Sequence, residues 1–271
     1  MRSPAEDRAN LFTRLRAVVE RRELLGTMTI REVQVRYKQA FLGAAWAVFL
    51  PLSLMLVFTL VRRGIGGPDE GVPYAVWSYT GLLAWTMHQT ALKGATGVLV
   101  ANKNLLSKVY FPREILPLSK VGAALVDFGV GLSVLAALMV WNHVPFDWSA
   151  LLLPVVVAVH LLLICGLGLL LAAMNVFFRD VQYVFDVLLL IWMFASPVFV
   201  DTSKRMMVGG IDVMRDANPM HAILTGYRDV LLRGGIVDPA HFIQGAALSA
   251  TVFVVGFAVF ARAEPRFAER V

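Results

Sequence analysis

The segment NKNLLSKVYFPREILPLSK, residues 102–120, lies between two long apolar runs and sets the direction in which the chain crosses a membrane. One acid, Glu114, stands against four basic residues: Lys103, Lys108, Arg113 and Lys120. Because Lys and Arg near the ends of membrane spans collect on the cytoplasmic side, we expect this segment inside the cell, at the membrane surface. Pro112 and Pro117 bracket a short turn before the next apolar run. The segment is either a basic connector that only fixes orientation or a surface on which a cytoplasmic partner pushes.

The composition of the whole chain is that of a polytopic membrane protein. Hydrophobic residues make up 58% of the 271 residues and charged residues only 16%, with a mean hydropathy of +0.68, whereas soluble domains carry about 25% charge. The net charge of +6 does not indicate nucleic-acid binding, because the basic residues lie beside apolar runs rather than forming a groove. The one cysteine, Cys165, lies in an apolar run, which excludes a disulfide framework and a cysteine metal site.

Six apolar runs are long enough to span a bilayer, for which a helix needs about 20 mostly apolar residues. They cover residues 43–61, 73–92, 118–141, 150–174, 181–200 and 242–261. The sequence therefore predicts an all-α polytopic membrane protein with six transmembrane helices and both termini on one side. With that side in the cytoplasm, 18 Lys and Arg residues lie inside and 7 outside, which agrees with the positive-inside rule. In the fourth run, the small residues of GLGLLLAA, residues 166–173, favour close helix packing.

The transmembrane domain, residues 43–261, is flanked by a cytoplasmic N-terminal region, residues 1–42, and a cytoplasmic tail, residues 262–271. The N-terminal region shows no secretory signal pattern. Residues 8–25 predict an amphipathic helix that lies in the membrane interface. The pattern TIRE, residues 29–32, predicts a capping box that starts a second short helix. The cations of this second helix are either lipid-headgroup anchors or part of a substrate site: Arg31, Arg36 and Lys38.

The segment between the fifth and sixth runs, residues 201–241, is too long for a plain connection. From Asn218 onward, apolar side chains share one helical face: Met220, Ile223, Leu224, Tyr227, Val230 and Leu231. This run is too short to cross a bilayer and too apolar for a free loop. We expect a re-entrant or interfacial helix at the external mouth, ended by Gly234 and Gly235.

Two acids are embedded in predicted spans, Asp127 in the third and Asp186 in the fifth. A charge at membrane depth costs at least ~2.5 kcal/mol unless it is paired or hydrated, so each acid is either functional or hydrogen-bonded to a neighbouring helix. The histidines have no second histidine or carboxylate at metal-site spacing, which argues against a zinc or iron enzyme: His88 at the end of the second run, His143 and His160. The sequence has no G-x-x-x-x-G-K-S/T phosphate loop, so any ATP hydrolysis belongs to another polypeptide.

Aromatic side chains are frequent near the ends of the runs and within them. Most belong to the interfacial belts of a membrane protein. Those inside spans could instead line a conduit for polysaccharide, because sugar rings pack their apolar faces on aromatic planes. The conduit candidates are Trp46, Phe49, Trp85 and Trp192, together with the acid Asp127.

Four blocks of sequence resemble the permease subunit of type-2 ABC exporters for O-antigen and related polysaccharides. They are RYKQAFLGAAWAVFLPL (36–52), NLLSKVYFPREILPLS (104–119), MNVFFRDVQYV (174–184) and NPMHAILTGYRDVLL (218–232). The permeases of teichoic-acid, capsule and cell-wall galactan exporters are similar. The blocks come in the family's order, and nearly the whole chain from about residue 20 fits.

This resemblance implies a set of partners. Two copies of this chain would pair to form a conduit, driven by two copies of a separate ATPase subunit that binds ATP and Mg²⁺, with no cofactor in this chain. Residues 104–117 would form the main coupling segment, including Asn104, Leu105, Lys108, Tyr110, Phe111, Pro112 and Arg113. Residues 174–184 would form a second cytoplasmic contact, with Arg179 and Asp180 as its polar residues.

The resemblance also implies a path for the cargo. The N-terminal helix would lie beside a lateral entrance in the inner membrane, through which a polyprenyl pyrophosphate carrying the glycan is taken up. A diphosphate crossing an interface needs paired cations, so we expect Arg31, Arg36 and Lys38 to face it. Residues 218–232 would belong to the outer gate helices, with Asn218, Pro219, Met220 and Tyr227.

Three other functions compete with this one. A type-2 ABC permease could carry a drug or a lipid instead of a glycan. A membrane enzyme acting on prenyl-linked sugars would need clustered carboxylates or a His/Asp pair at the membrane face, whereas Asp127 and Asp186 lie on different runs at different depths. A structural scaffold in a wall-synthesis complex would leave the ATPase activity of a partner unchanged.

Overall fold

The computed structural model describes residues 11–38, 45–65, 72–108, 111–199, 207–208 and 211–267. Apart from one short antiparallel hairpin, Met207–Val208 with Ile211–Asp212, the regular structure in these residues is helical. Single 3-10 turns occur at Trp148–Leu152 and Glu264–Arg266. The helices are α1 Leu11–Glu20, α2 Arg22–Tyr37, α3 Ala45–Ile65, α4 Tyr74–Ala101, α5 Lys103–Lys108, α6 Ile115–Trp141, α7 Leu153–Phe177, α8 Val181–Phe194, α9 Val213–Asp216, α10 Pro219–Leu232 and α11 Pro239–Ala263.

Three helical segments are long and apolar enough to cross a membrane: Ile115–Trp141, Trp148–Phe177 and Pro239–Arg266. They confirm the third, fourth and sixth predicted runs. The first and fifth runs contain shorter apolar helices, Val48–Arg62 and Val181–Phe194. The second run lies in α4, which has 28 residues but is less apolar because of its hydroxyl and imidazole side chains. The chain is thus a multi-pass membrane protein, and the count of six spans stays a prediction.

Helix α4 lies at the centre of the fold and contacts α3, α6, α7, α8 and α10. Because protein surrounds it, α4 can carry polar side chains that a lipid-facing helix could not: Ser78, Thr80, His88 and Thr96 are all buried. Thr80 and Thr96 donate to the carbonyl four residues earlier, at 2.8 and 2.7 Å. Helix α4 continues to Ala101, beyond the second predicted run of residues 73–92, so His88 lies in mid-helix.

Helices α7 and α11 form an extensive contact, and small residues make it close. A Cβ atom at Gly166 would lie 2.5 Å from the Cα atom of Phe253, and a Cβ at Gly256 would meet the backbone of Gly166 itself. Any side chain at these two positions would therefore force the helices apart. This contact confirms the close packing predicted from residues 166–173.

Helix α2 runs without a break from Arg22 to Tyr37, so the prediction of a capping box at residues 29–32 is wrong. Thr29 lies in mid-helix, where its side chain packs against Gly122 of α6. Glu32 pairs with Lys120 of α6 instead of capping a backbone N–H. The tertiary contact with α6 therefore determines the roles of both residues.

The amphipathic helix predicted for residues 8–25 corresponds to α1, in which Val18 is buried, and to the start of α2 after Arg21. Residues 8–10 lie outside the described residues.

One arginine ties helix α1 to the residue before α6 and to the residue after α11. Arg14 Nη1 lies 2.9 Å from Glu114 Oε1 and 2.6 Å from Glu264 Oε2. Arg113 Nη1 donates to the backbone oxygen of Glu264 at 2.8 Å. We call these four residues the tail junction. An apolar cluster lies against it, and its buried members include Phe111, Ile115, Phe260 and Phe267.

Glu114 in the tail junction is only 2% exposed. Burial raises the pKa of its carboxyl group, the nearby Glu264 carboxylate adds to the rise, and Arg14 opposes it. The folded protein therefore holds a proton on Glu114 at pH values where the unfolded chain has already lost it. The contribution of Glu114 to stability consequently falls as the pH rises above its ordinary pKa of 4.5.

Arg14→Ala should leave two carboxylates close together in a mostly buried site. We expect the free energy of unfolding to fall by on the order of 3 kcal/mol at neutral pH. The loss should be smaller at pH 5 than at pH 8, because protonation of Glu114 relieves the repulsion. Thermal unfolding of the purified protein in detergent measures both effects. Arg16→Ala is the matched control, since the Arg16–Glu20 pair on the same helix is 80% and 61% exposed and should contribute little. Equal losses in the two variants would contradict this account of the junction.

Candidate functional site

A cleft of about 300 Å³ opens between α2, α3, α4 and α6. The end of α2 and the start of α3 form one side, and the middle of α4 and of α6 forms the other. The cleft brings together three of the predicted site residues, Arg36 from the entrance group and Trp46 and Asp127 from the conduit group. Its lining residues are Arg36, Tyr37, Trp46, Leu50, Leu83, Thr86, Met87, Thr90, Ala124, Asp127 and Phe128.

The charged part of the cleft is built on Asp127. Arg36 Nη1 is hydrogen-bonded to Asp127 Oδ2, and the Tyr37 hydroxyl donates to Asp127 Oδ1 at 2.6 Å. The acid at membrane depth is therefore paired with a neighbouring helix, as one of the two sequence interpretations expected. Burial, helped by the hydrogen bond to the Asp127 carboxylate, raises the pKa of Tyr37 to about 12. Tyr37 thus remains a hydrogen-bond donor throughout the physiological range.

The rest of the cleft is apolar. Trp46 and Leu50 are about half exposed, at 50% and 54%, and face the opening, whereas Phe128 is buried at 4%. Leu83 and Met87 of α4 complete the wall. An arginine–carboxylate pair beside a broad apolar wall suits a molecule with an anionic head and a hydrocarbon chain.

The other predicted entrance and conduit residues lie elsewhere. Arg31 and Lys38 occupy exposed positions of α2, outside the lining of this cleft. Phe49 is 54% exposed and contacts Trp46 edge-on, with ring centroids 5.6 Å apart. Trp85 is buried within the single chain, where it packs against Trp192 at 6.1 Å between ring centroids. The role of these side chains in a conduit stays a prediction.

The two predicted coupling segments adjoin one apolar cluster. Phe111 of the first segment and Val176 of the second belong to the same cluster of buried residues. The polar residues Asn104, Arg179 and Asp180 are exposed, Leu105, Pro112 and Arg113 are partly buried, and Tyr110 and the side chain of Lys108 lie outside the described residues. A movement of either segment would therefore press on the same buried side chains.

The predicted gate helix is α10, and its boundaries are as expected. The Asn218 side chain caps it by accepting from the Met220 backbone N–H at 3.1 Å, and Pro219 occupies the first helical position. The helix ends before Gly234 and Gly235, which have φ angles of +79° and +145°. Helix α10 is more deeply packed than an interfacial helix would be, because it contacts α4, α7 and α11. Met220 and Tyr227 are 0% and 1% exposed.

Residues 23–232 match the family model of the ABC-2 type transporter. The chain belongs to the ABC-2 transporter family. It is 31% identical over 263 residues to the O-antigen export system permease protein RfbA of Myxococcus xanthus, and the alignment covers 95% of this chain and 98% of that relative. Two permeases of the same name from Klebsiella pneumoniae are 25% and 24% identical over 259 residues, with 91% of this chain and 94% of each relative covered.

The sequence did not reveal a row of three buried polar side chains that contact one another in this ABC-2 transporter. His88 Nδ1 of α4 lies 3.2 Å from His160 Nε2 of α7, and His160 Nδ1 lies 3.3 Å from the hydroxyl of Tyr227 in α10. His88 Nε2 has no hydrogen-bond partner among the described residues. The three residues lie on three helices, so no spacing along the chain reveals them. The only signal is that each is a polar residue in an otherwise apolar stretch.

A second histidine pair and a buried arginine also escaped the sequence analysis. His221 Nδ1 lies 3.0 Å from His241 Nε2, at the starts of α10 and α11. Within the described part of the chain, neither histidine pair has the third ligand that a metal site needs. Arg228 of α10 is only 3% exposed.

Tyr227→Phe should leave His160 Nδ1 buried without its partner. We expect this ABC-2 transporter to lose about 1–3 kcal/mol of stability, because an unsatisfied buried polar atom keeps its full desolvation cost. Thermal unfolding in detergent measures the loss. Tyr79→Phe is the matched control: its hydroxyl donates to the Gly131 carbonyl at 3.4 Å, and that carbonyl lies within α6 and has the helix's own hydrogen bonding. If both variants unfold at the same temperature, the His160–Tyr227 contact does not stabilise the fold.

Proposed function

We propose that this chain is the permease subunit of an ATP-driven exporter that carries a polysaccharide linked to polyprenyl pyrophosphate, with O-antigen as the first candidate. The relatives that align with nearly the whole chain are permeases of O-antigen export systems by name. The observation that carries the proposal is the cleft, in which Arg36 and Asp127 lie beside an apolar wall. Such a cleft suits a diphosphate joined to a long hydrocarbon.

The proposed assembly contains two copies of this chain and two copies of a separate ATPase subunit in the inner membrane. The lack of a G-x-x-x-x-G-K-S/T phosphate loop in this sequence supports a separate ATPase subunit. Residues 104–117 and 174–184 would receive the movement of the ATPase on the cytoplasmic side. Teichoic-acid, capsule and galactan polymers are alternative cargoes, because the cleft recognises the lipid diphosphate and not the sugar.

Arg36 has a defined task in this mechanism. Asp127 holds the guanidinium in place, and the guanidinium and Tyr37 satisfy the carboxylate. An incoming diphosphate would offer the guanidinium more acceptor oxygens than a single carboxylate does. Arg36 would then release Asp127 and bind the diphosphate of the lipid, while Tyr37 would still donate one hydrogen bond to Asp127. Arg31 and Lys38, exposed on the same helix, would attract the diphosphate before it reaches the cleft.

A charge swap tests this role of Arg36. The single variant Arg36→Glu would place two acids side by side and destabilise the protein, so it cannot separate folding from transport. The double variant R36E/D127R keeps an ion pair while placing the cation on the other helix. We expect normal abundance in the membrane but loss of surface glycan, because the acid now on α2 would repel the diphosphate where Arg36 is proposed to bind it.

The matched control is K93D/D186K. Lys93 Nζ and Asp186 Oδ1 form an ion pair of similar type, 3.1 Å apart, between α4 and α8. Neither residue lines the cleft. Export should survive this swap. Full export in the R36E/D127R variant would rule out Arg36 as the diphosphate ligand.

Depletion of the chain in its host tests the function itself. We expect prenyl-linked polymer to accumulate on the cytoplasmic face of the inner membrane, where isolation of the polymer identifies the cargo. A polymer that is never made would indicate the enzyme function instead. Normal surface polymer would indicate a different cargo, such as a drug or a lipid.

A further inference from the structure

The outer end of α8 ends in a turn whose carbonyl groups are bound by one buried arginine. After Phe194, the chain turns through residues 195–199, which we call the α8 turn. Arg228 Nη1 donates to the Pro197 oxygen at 2.5 Å and Nη2 donates to the Val198 oxygen at 3.0 Å. These two carbonyl groups lie beyond the end of α8 and belong to no helix, so the arginine satisfies groups that hydrocarbon could not.

Arg228 also fastens the α8 turn to the central helix. Its Nε donates to the backbone oxygen of Trp77 in α4 at 3.3 Å, and the guanidinium carbon lies 3.4 Å from the centre of the Trp77 ring. Gly81, one turn later on α4, provides the space. A Cβ atom at Gly81 would collide with the Arg228 guanidinium and lie 3.0 Å from the Val198 oxygen.

The N-cap residue of α10 makes a second attachment to the same turn. Asn218 Nδ2 donates to Ser196 Oγ at 2.9 Å, while Asn218 Oδ1 accepts from Trp192 Nε1 at 2.8 Å. From α4, the Tyr74 hydroxyl donates to the Phe199 oxygen at 2.8 Å. Helices α10 and α4 therefore hold the outer end of α8 at several points.

The remainder of α8 makes few buried contacts with the rest of this chain. Phe185 and Leu189 are its buried residues, and much of its surface consists of exposed side chains, among them Tyr183, Val184, Val187, Leu188, Leu190 and Ile191. Near its inner end, Asp186 pairs with Lys93 of α4, but these side chains are 50% and 42% exposed. An exposed ion pair constrains a helix far less than a buried arginine with several carbonyl acceptors.

We propose that Arg228 is a positioning residue for export, which fixes the outer end of α8 so that the helix pivots about the α8 turn. Helix α8 begins directly after Arg179 and Asp180, two exposed charged residues of the second coupling segment. A push there would swing the inner end of α8, while Arg228 keeps the outer end and α10 together. The pivot rests on the proposed function, because the ATPase partner supplies the push.

The chemistry of the site demands arginine. Its planar, forked guanidinium reaches three carbonyl groups from one position and stacks on the Trp77 ring, whereas the single ammonium group of lysine can do neither in the same way. Arg228→Lys keeps the charge and breaks the fork. Gly81→Ala keeps the arginine and removes its space. The two variants disturb the same contact from opposite sides.

The experiment uses the permease assembled with its ATPase partner in lipid nanodiscs and measures hydrogen exchange of residues 195–199. We expect roughly tenfold or faster exchange there in R228K and in G81A, because charge-assisted hydrogen bonds to the turn are lost. ATP hydrolysis should continue in both variants while export in cells is lost. Arg233→Lys is the matched control, since Arg233 lies just after the same helix and contacts Asp229 at its partly exposed side chain. In the Arg233→Lys variant, hydrogen exchange at residues 195–199 and export in cells should equal those of the parent protein.

Each result decides the proposal. Unchanged exchange at residues 195–199 in both variants overturns it, and so does full export despite faster exchange. If R228K does not accumulate in the membrane, the same two readouts on G81A decide. Hydrogen exchange needs no cargo and therefore tests the attachment of the turn separately from the proposed function. If exchange is faster in the variants but depletion of the chain leaves the surface glycan unchanged, the proposed function is contradicted and the attachment of the turn is still supported.

Discussion

Polar groups inside an apolar medium must be paired within the protein, because hydrocarbon offers no hydrogen-bond partner. Helix α4 shows how this constraint shapes the fold. Its buried hydroxyl groups donate to carbonyls of their own helix, whereas His88 contacts His160 of α7 and the Trp77 carbonyl accepts from Arg228 of α10. A helix with these residues would be costly on the lipid-facing surface, so it occupies the centre and is surrounded by α3, α6, α7, α8 and α10.

The same need for partners applies to the charged side chains of the N-terminal helices, which form ion pairs with the rest of the chain. Arg14 of α1 reaches Glu114, while Glu32 and Arg36 of α2 pair with Lys120 and Asp127 of α6. Each pair joins the N-terminal region to α6 or to the residue that precedes it. In the proposed exporter, a shift of residues 104–117 would therefore carry α6 and the two N-terminal helices together, and the cleft between α2, α3, α4 and α6 would change shape with them.

One short helix, α10, joins α7, α4 and the α8 turn. Helix α10 is buried on several sides, and two consecutive residues reach different neighbours: Tyr227 contacts His160 of α7, and Arg228 contacts the α8 turn and α4. Such a helix moves only with its partners. The N-terminal half of α8, by contrast, has a half-exposed ion pair and a largely exposed apolar surface. The two ends of α8 therefore differ in how firmly the rest of the chain holds them.

The sequence by itself determined the membrane class, the apolar runs, the short helix from Pro219 to Leu232 and its stop at Gly234, because hydropathy, proline and glycine act locally. It also identified Asp127 as a residue in need of a partner. Only the tertiary structure decided that the partners are Arg36 and Tyr37, that Thr29 and Glu32 pack on α6 instead of capping a helix, and that His88, His160 and Tyr227 form one chain. These contacts join residues tens of positions apart on different helices. A pattern along the chain records which groups need partners, but the packing of the helices determines which partners they obtain.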